Sequence, residues 1–264
     1  MMRTIIETKN LKKVYGSRGS SYVALDGIDL KVEEGEFLGI MGPSGAGKTT
    51  LLNIISTIDT ATSGSYHFEE NDMSKIKGKA LANFRKNKIG FIFQDFNLLD
   101  TMTVQDNIAL PLALSKVNHK EITSKVNEIA DFLGIEAQLN KYPYQLSGGQ
   151  RQRTAAARAL MTSPSVIFAD EPTGALDSKS AAELLQCLTN MNEKFKTTII
   201  MVTHDAFAAS YCRRIMFIKD GKIHAKLDRS QERKEFFHRI MDMISSMNSV
   251  ADAYMPEDRS GRVF

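Results

Sequence analysis

The segment GPSGAGKTT at positions 42–50 restricts this chain more than any other feature. It satisfies the phosphate-loop spacing G-x-x-x-x-G-K-[ST] through Gly42, Gly47, Lys48 and Thr49. Such a loop needs a strand before it and a helix after it. Residues 36–41 (EFLGIM) have the continuous apolar character of a short buried strand, and residues 50–56 (TLLNIIS) begin a helix. Glycines let successive N–H groups turn toward an anion, and the helix N-terminus adds partial positive charge. On this reading Gly42, Pro43, Ser44, Gly45, Ala46, Gly47, Lys48, Thr49 and Thr50 cradle the phosphates of a nucleoside triphosphate. Lys48 reaches the outer phosphates and the Thr49 hydroxyl ligates Mg²⁺.

The rest of the chain divides into three blocks. Up to residue 93, strand-like runs at 5–7, 27–32, 37–41, 65–68 and 89–93 alternate with turns and a single helix after the phosphate loop. From 103 to about 160 the spacing becomes helical: Ile122, Val126, Ile129 and Leu133 recur every three or four residues, and Gly134 stands where a helix stops. After Pro164 the strands at 166–170 (VIFAD), 197–203 and 215–221, with a helix near 180–192, restore an α/β pattern of parallel strands and crossovers. In the last stretch Phe236, Ile240, Met243, Ile244 and Met247 share one helical face, and residues 249–264 have the character of a mobile tail.

Composition excludes more than it specifies. The 264 residues suffice for a large core, and a net charge of +3 does not by itself imply nucleic acid. The basic run of Lys75, Lys77, Lys79, Arg85, Lys86 and Lys88 is expected to be a solvated face. Cys187 and Cys212 lack metal or disulfide spacing and fit small buried hydrophobes in a reducing compartment. His67, His119, His224 and His238 are scattered without ligand spacing. No signal pattern appears, and no apolar run approaches the ~18 residues needed to span a bilayer, so a membrane role would require a partner.

Two further motifs carry chemistry. Strand 166–170 ends in Asp170, placed to hold the Mg²⁺ shell, and the adjacent Glu171 is placed to polarise the attacking water. Residues 146–153 read LSGGQRQR, and Ser147, Gly148 and Gly149 make a second hydroxyl-plus-backbone anion nest at a helix start. Followed by TAAARAL, this segment resembles the signature of ATP-binding cassette proteins, and residues 1 to about 228 carry that family's motifs in its order. The resemblance implies an α/β phosphate-loop NTPase of cassette type, with a RecA-like mixed or parallel sheet, an antiparallel β subdomain and an α-helical subdomain at about 95–160. It also implies a separate C-terminal segment, 229–264.

Several roles follow from the resemblance alone. Gln94 is similar to the glutamine that senses Mg²⁺ and the membrane partner, and His204 to the switch histidine at the γ-phosphate. Asp177, ending GALD, resembles the loop that crosses the dimer interface. Tyr15 is similar to the residue that stacks on adenine, with Tyr22 as the alternative. Ser147, Gly148, Gly149 and Gln150 would face the ATP of a second copy, so two chains would enclose two ATP molecules. The phrases at 96–112, 170–180 and 208–223 are similar to ATPases of the lipoprotein-release and macrolide-export branch. The last of these, with the FF-containing tail, is similar to bacitracin-type peptide-antibiotic transporters of Gram-positive bacteria. Those pair with a large permease that communicates with a sensor histidine kinase, which implies a place at the cytoplasmic face of the membrane. Chromosome-maintenance ATPases split the same head around a long coiled coil, and translation factors carry two cassettes; neither pattern is present, so no nucleic-acid partner is expected.

Overall fold

The computed structural model describes residues 3–17, 20–230 and 232–252. In chain order, β1 (Thr4–Ser17) and β2 (Ser20–Glu33) form a long hairpin, and β3 (Phe37–Met41) leads through the phosphate loop into α1 (Lys48–Ile55). Then come β4 (Ser63–Phe68), β5 (Asn71–Asp72), α2 (Gly78–Lys88) and β6 (Ile89–Ile92). Three helices follow, α3 (Val104–Ala113), α4 (His119–Phe132) and α5 (Gly148–Leu160), the last two separated by short 3-10 turns. The chain closes with β7 (Val166–Asp170), α6 (Ser178–Phe195), β8 (Thr198–Val202), α7 (Ala206–Ala209), β9 (Arg214–Lys219), β10 (Lys222–Asp228) and α8 (Arg233–Asp252).

The strands build two sheets. One is antiparallel, in the order β2-β1-β4-β5; the other has the order β10-β9-β3-β8-β7-β6, with parallel pairing from β9 to β6 and an antiparallel edge strand, β10. The central strands are apolar at nearly every position because both faces are covered. Phe37, Met41, Ile167, Ala169, Ile199 and Met201 face one core, shared with α3 to α6 and α8. Their alternates Leu38, Ile40, Val166, Phe168, Ile200 and Val202 face a second core, shared with α1 and the antiparallel sheet. The period of two along each strand therefore assigns every side chain to one core or the other.

Two elements differ from the sequence expectation. Lys79, Arg85, Lys86 and Lys88 of the basic run lie on the helix α2, so the block before residue 93 holds two helices, while Lys75, Lys77, Lys79 and Arg85 are exposed as a solvated face requires. Leu81 and Phe84 turn inward, with the Phe84 ring edge-on to Phe68 at 4.9 Å. Its cations are also partly engaged: Arg85 donates to Thr57 Oγ1 at 2.9 Å, and Lys88 pairs with Glu69 at 3.0 Å. Segment 215–221 is not all strand either. Asp220 and Gly221, both with positive φ, turn β9 into β10, the tight hairpin that an Asp-Gly pair favours.

Phe236, Ile240 and Met247 of α8 are buried and Met243 and Ile244 pack beside them, as the spacing predicts. That helix continues to Asp252, into the expected tail; residues 253–264 lie outside the described residues. Both cysteines pack in the larger core, and burial pushes the Cys212 thiol far up. Phe168 is fully buried between sheet and α1 layer, its ring 5.6 Å from that of Phe91. Phe168→Ala should lower unfolding free energy by about 3–5 kcal/mol, read from denaturant titration; a loss below about 1 kcal/mol would contradict this packing.

Candidate active site

The parallel strands end at one level, and each expected catalytic residue lies just beyond an end. The phosphate loop follows β3, His204 follows β8, Asp170 and Glu171 close β7, and Gln94 follows β6. The register enforces this, because Ile40 pairs with Val202, Val202 with Asp170, and Ala169 with Ile92. Open α/β sheets bind ligands at such an edge.

Glycine is obligatory at two points of the loop. Gly42 has φ 153 and a Cβ there would lie 2.1 Å from the Ile218 carbonyl oxygen; Gly47 has φ 100 and a Cβ would lie 2.5 Å from that of Ala24. Lys48 begins α1 and donates to the carbonyls of Gly42 and Pro43, both at 2.9 Å. Burial holds its ammonium below the usual lysine range, against the raising effect of Glu171 and Asp170. Burial, with the charge of Glu171, pushes the Asp170 carboxyl up, against Lys48. Asp170 Oδ1 is buried and has no hydrogen-bond partner. A desolvated carboxylate oxygen within electrostatic reach of the phosphate-loop lysine fits a hard cation such as Mg²⁺.

Glu171 sits in the left-handed region with φ 46, a strained conformation for a glutamate. Its N–H donates to the Val202 carbonyl at 2.9 Å, and its Oε1 lies 2.9 Å from His204 Nδ1. The carboxylate is largely covered, whereas the His204 ring is exposed. Gln94 is exposed and lies against the next turn: a Cβ on Gly174 would come within 3.0 Å of its Nε2.

The predicted residues fall into two groups. Ser44, Gly45, Gly47, Lys48, Thr49, Thr50 and Glu171 line one open cavity together with Tyr22. None of the signature residues lines it. Ser147 instead caps α5, accepting from the Gln150 N–H at 3.3 Å while its own N–H donates to Gln150 Oε1 at 3.0 Å. A Cβ on Gly149 would lie 3.1 Å from Ser180, so this helix start abuts that of α6. Asp177 caps α6, accepting from Lys179 and Ser180 at 3.0 Å. Signature and GALD loop thus form a second cluster.

Tyr15 and Tyr22 are direct cross-strand partners, so their side chains stand on one face of the hairpin. It is Tyr22, not Tyr15, that lines the cavity, donating to the Gly45 carbonyl at 3.2 Å. Tyr15 donates to Asp59 at 2.8 Å and has the Lys13 ammonium over its ring at 4.7 Å.

Sequence reasoning missed the residues behind the site. Gln152 donates to the Phe93 and Pro172 carbonyls, and Arg158 to those of Phe96 and Asn97. Buried Asn107 bridges Leu99, Met102 and Thr103. A glutamine one turn ahead of the buried Ala155 and Ala156 was the available signal.

Comparison with known proteins agrees with this fold. The model of the ABC transporter family matches residues 25–174. The chain belongs to the ABC transporter family. It is 53% identical over 238 residues to the bacitracin export ATP-binding protein BceA of Halalkalibacterium halodurans, covering 90% of this chain and 94% of that one. It is 47% identical to the ABC transporter ATP-binding protein YxdL of Bacillus subtilis, covering 95% and 97%. The dimeric, post-hydrolysis ATP-binding cassette MJ0796, bound to ADP and Pi, superposes with TM-score 0.78 at 38% identity, over 86% of this chain and all of that one. The cassette cbiO1 from Clostridium perfringens gives TM-score 0.80 at 28% identity, over 94% and 95%. This ABC protein is accordingly an ATP-binding, ATP-hydrolysing subunit with the phosphate-loop NTPase fold. No helix among its described residues is long and apolar enough to cross a membrane.

The electrostatics give a signed prediction. A carboxyl whose folded pKa is raised costs stability once ionised, above that pKa, and the cost vanishes below its unfolded value. Asp170→Asn should therefore raise the thermal midpoint of the nucleotide-free ABC subunit at pH 7. The gain should shrink as pH falls and wild-type Asp170 takes up its proton. A midpoint lowered at pH 7 would contradict the burial assigned to Asp170.

Proposed function

We propose that two copies of this chain enclose two MgATP molecules and that their hydrolysis drives a membrane permease handling bacitracin-like antimicrobial peptides. The observation that carries the shared site is the separation of the cavity around Lys48 and Glu171 from the cluster around Ser147 and Asp177. One phosphate loop covers one side of a triphosphate, and charge developing on the γ-phosphoryl group needs donors on the other. Ser147, Gly148, Gly149 and Gln150 of a second copy supply them, with Asp177 at the crossing between copies. The peptide substrate class rests on the similarity to a bacitracin export protein. A lipoprotein-release or macrolide-export role is the second reading, favoured by the phrases at 96–112 and 170–180.

In each site Lys48 leaves two neutral carbonyls for the charged phosphate oxygens, a stronger class of hydrogen bond. Asp170, Thr49 and Gln94 would hold Mg²⁺, which neutralises phosphate charge when bound. Glu171 accepts the proton of the attacking water, and His204, within hydrogen-bond distance, fixes the direction of its carboxylate. Of the two tyrosines proposed for the adenine, Tyr15 and its alternative Tyr22, the cavity favours Tyr22. We assign residues 1–228 to the ATPase cassette, about 95–160 to its helical subdomain, and 229–264 to a C-terminal helix and tail. The segment after Gln94 and the helical subdomain form the permease-docking side, which holds the chain at the cytoplasmic face of the membrane. A sensor histidine kinase would be reached through the permease.

Glu171→Gln should keep ATP affinity and lose about 10²–10⁴-fold in turnover, measured by phosphate release. Near-normal turnover would remove the base role. Mixing inactive Lys48→Ala with inactive Ser147→Arg should restore part of the activity, because a heterodimer has one site with both defects and one with neither. No recovery in demonstrated heterodimers would contradict the shared site. Deleting the gene should sensitise cells to cell-wall-active peptides; unchanged susceptibility, with altered lipoprotein sorting or macrolide sensitivity, would favour the second reading.

A further inference from the structure

Gln152 lies five positions past Ser147 on α5 and its side chain is 0% exposed. Ala155, Ala156 and Ala159, on the same side of the helix, belong to the core, so the amide is a polar exception on an apolar face. Its Nε2 donates to the Pro172 carbonyl at 2.7 Å and to the Phe93 carbonyl at 3.0 Å. Pro172 directly follows Glu171, and Phe93 directly precedes Gln94. Both carbonyls lie past the ends of their strands, since β7 stops at Asp170 and β6 at Ile92. The ladder that fixes the sheet edge has therefore ended, and a side chain takes its place.

The chemistry allows one orientation. A primary amide has two N–H donors, and both are used; reversing it would set Oε1 against two carbonyl oxygens. Burial strengthens both hydrogen bonds and makes their loss costly. Arg158 and Asn107 restrain only the segment after Gln94, whereas Gln152 also reaches the turn carrying Glu171.

We propose that Gln152 is a positioning residue for hydrolysis. By bridging Phe93 and Pro172 it sets the separation of Gln94 from Glu171, and by projecting from the helix that begins at the signature it links that separation to the signature's position. Engagement of Ser147–Gly149 with one ATP then shifts the catalytic edge serving the other ATP of the pair. The inference rests on the roles proposed above for Glu171 and Gln94.

The test uses the full-length chain, with MgATP hydrolysis measured across ATP concentration and pH, and thermal unfolding alongside. Gln152→Leu removes both donors at similar volume. It should lower kcat by about tenfold or more while changing the KM for ATP by less than about threefold. Added to Gln94→Ala, it should cost little beyond the larger single loss, because both act on one separation. Gln152→Glu places a carboxyl before two carbonyls in a dry site, which favours its neutral form and leaves one donor. Its kcat relative to wild type should climb as pH falls from about 9 to about 6, and this ratio decides alone should the leucine variant not fold. A Gln152→Leu kcat within twofold of wild type, fully multiplicative losses with Gln94→Ala, or a Gln152→Glu ratio flat in pH would each overturn the proposal. Failure of the base reading is distinguishable, because Glu171→Gln would then turn over normally while Gln152→Leu remained slow.

Discussion

Parallel pairing of β3, β8, β7 and β6 is the constraint on which the rest depends. Strands running the same way must end at the same edge, and the register matches Ile40, Val202, Asp170 and Ile92 within one residue. The phosphate loop, His204, the Asp170–Glu171 pair and Gln94 arrive together because their strands do. The two cores hold that register: a slip of one position would exchange the faces of every strand and turn Phe168 and Ile200 into the wrong core.

At this edge the backbone is held against its preferences. Glu171 adopts positive φ, Asp170 is desolvated beside it, and Lys48 is buried among carbonyls. Each is unfavourable alone. Together they describe a site arranged for a ligand bearing both negative phosphates and a cation, since charge of both signs is already removed from water.

Much of this was legible in the sequence, for physical reasons. Strands covered on both faces are continuous apolar runs, so β3, β7 and β8 declare themselves, and a loop that must wrap an anion can use few residues other than those of GPSGAGKTT. Structure whose signal is diluted by solvent failed to show. The lysines of α2 conceal the inward Leu81 and Phe84, and the edge strand β10 buries no continuous face. The partners of Gln152 were hidden for the opposite reason, because they are backbone carbonyls 59 and 20 residues away. The choice between Tyr15 and Tyr22 depended on how the β1–β2 hairpin overhangs the loop, which composition does not encode.

The central claim is that one chain supplies only half of each ATP site. The most direct measurement is an experimental structure of the hydrolysis-arrested protein with ATP and Mg²⁺. The account predicts a γ-phosphate flanked by Lys48 and Thr49 of one copy and by Ser147 and Gly149 of the other. ATP fully enclosed by a single chain, with Ser147 left facing solvent, would contradict it.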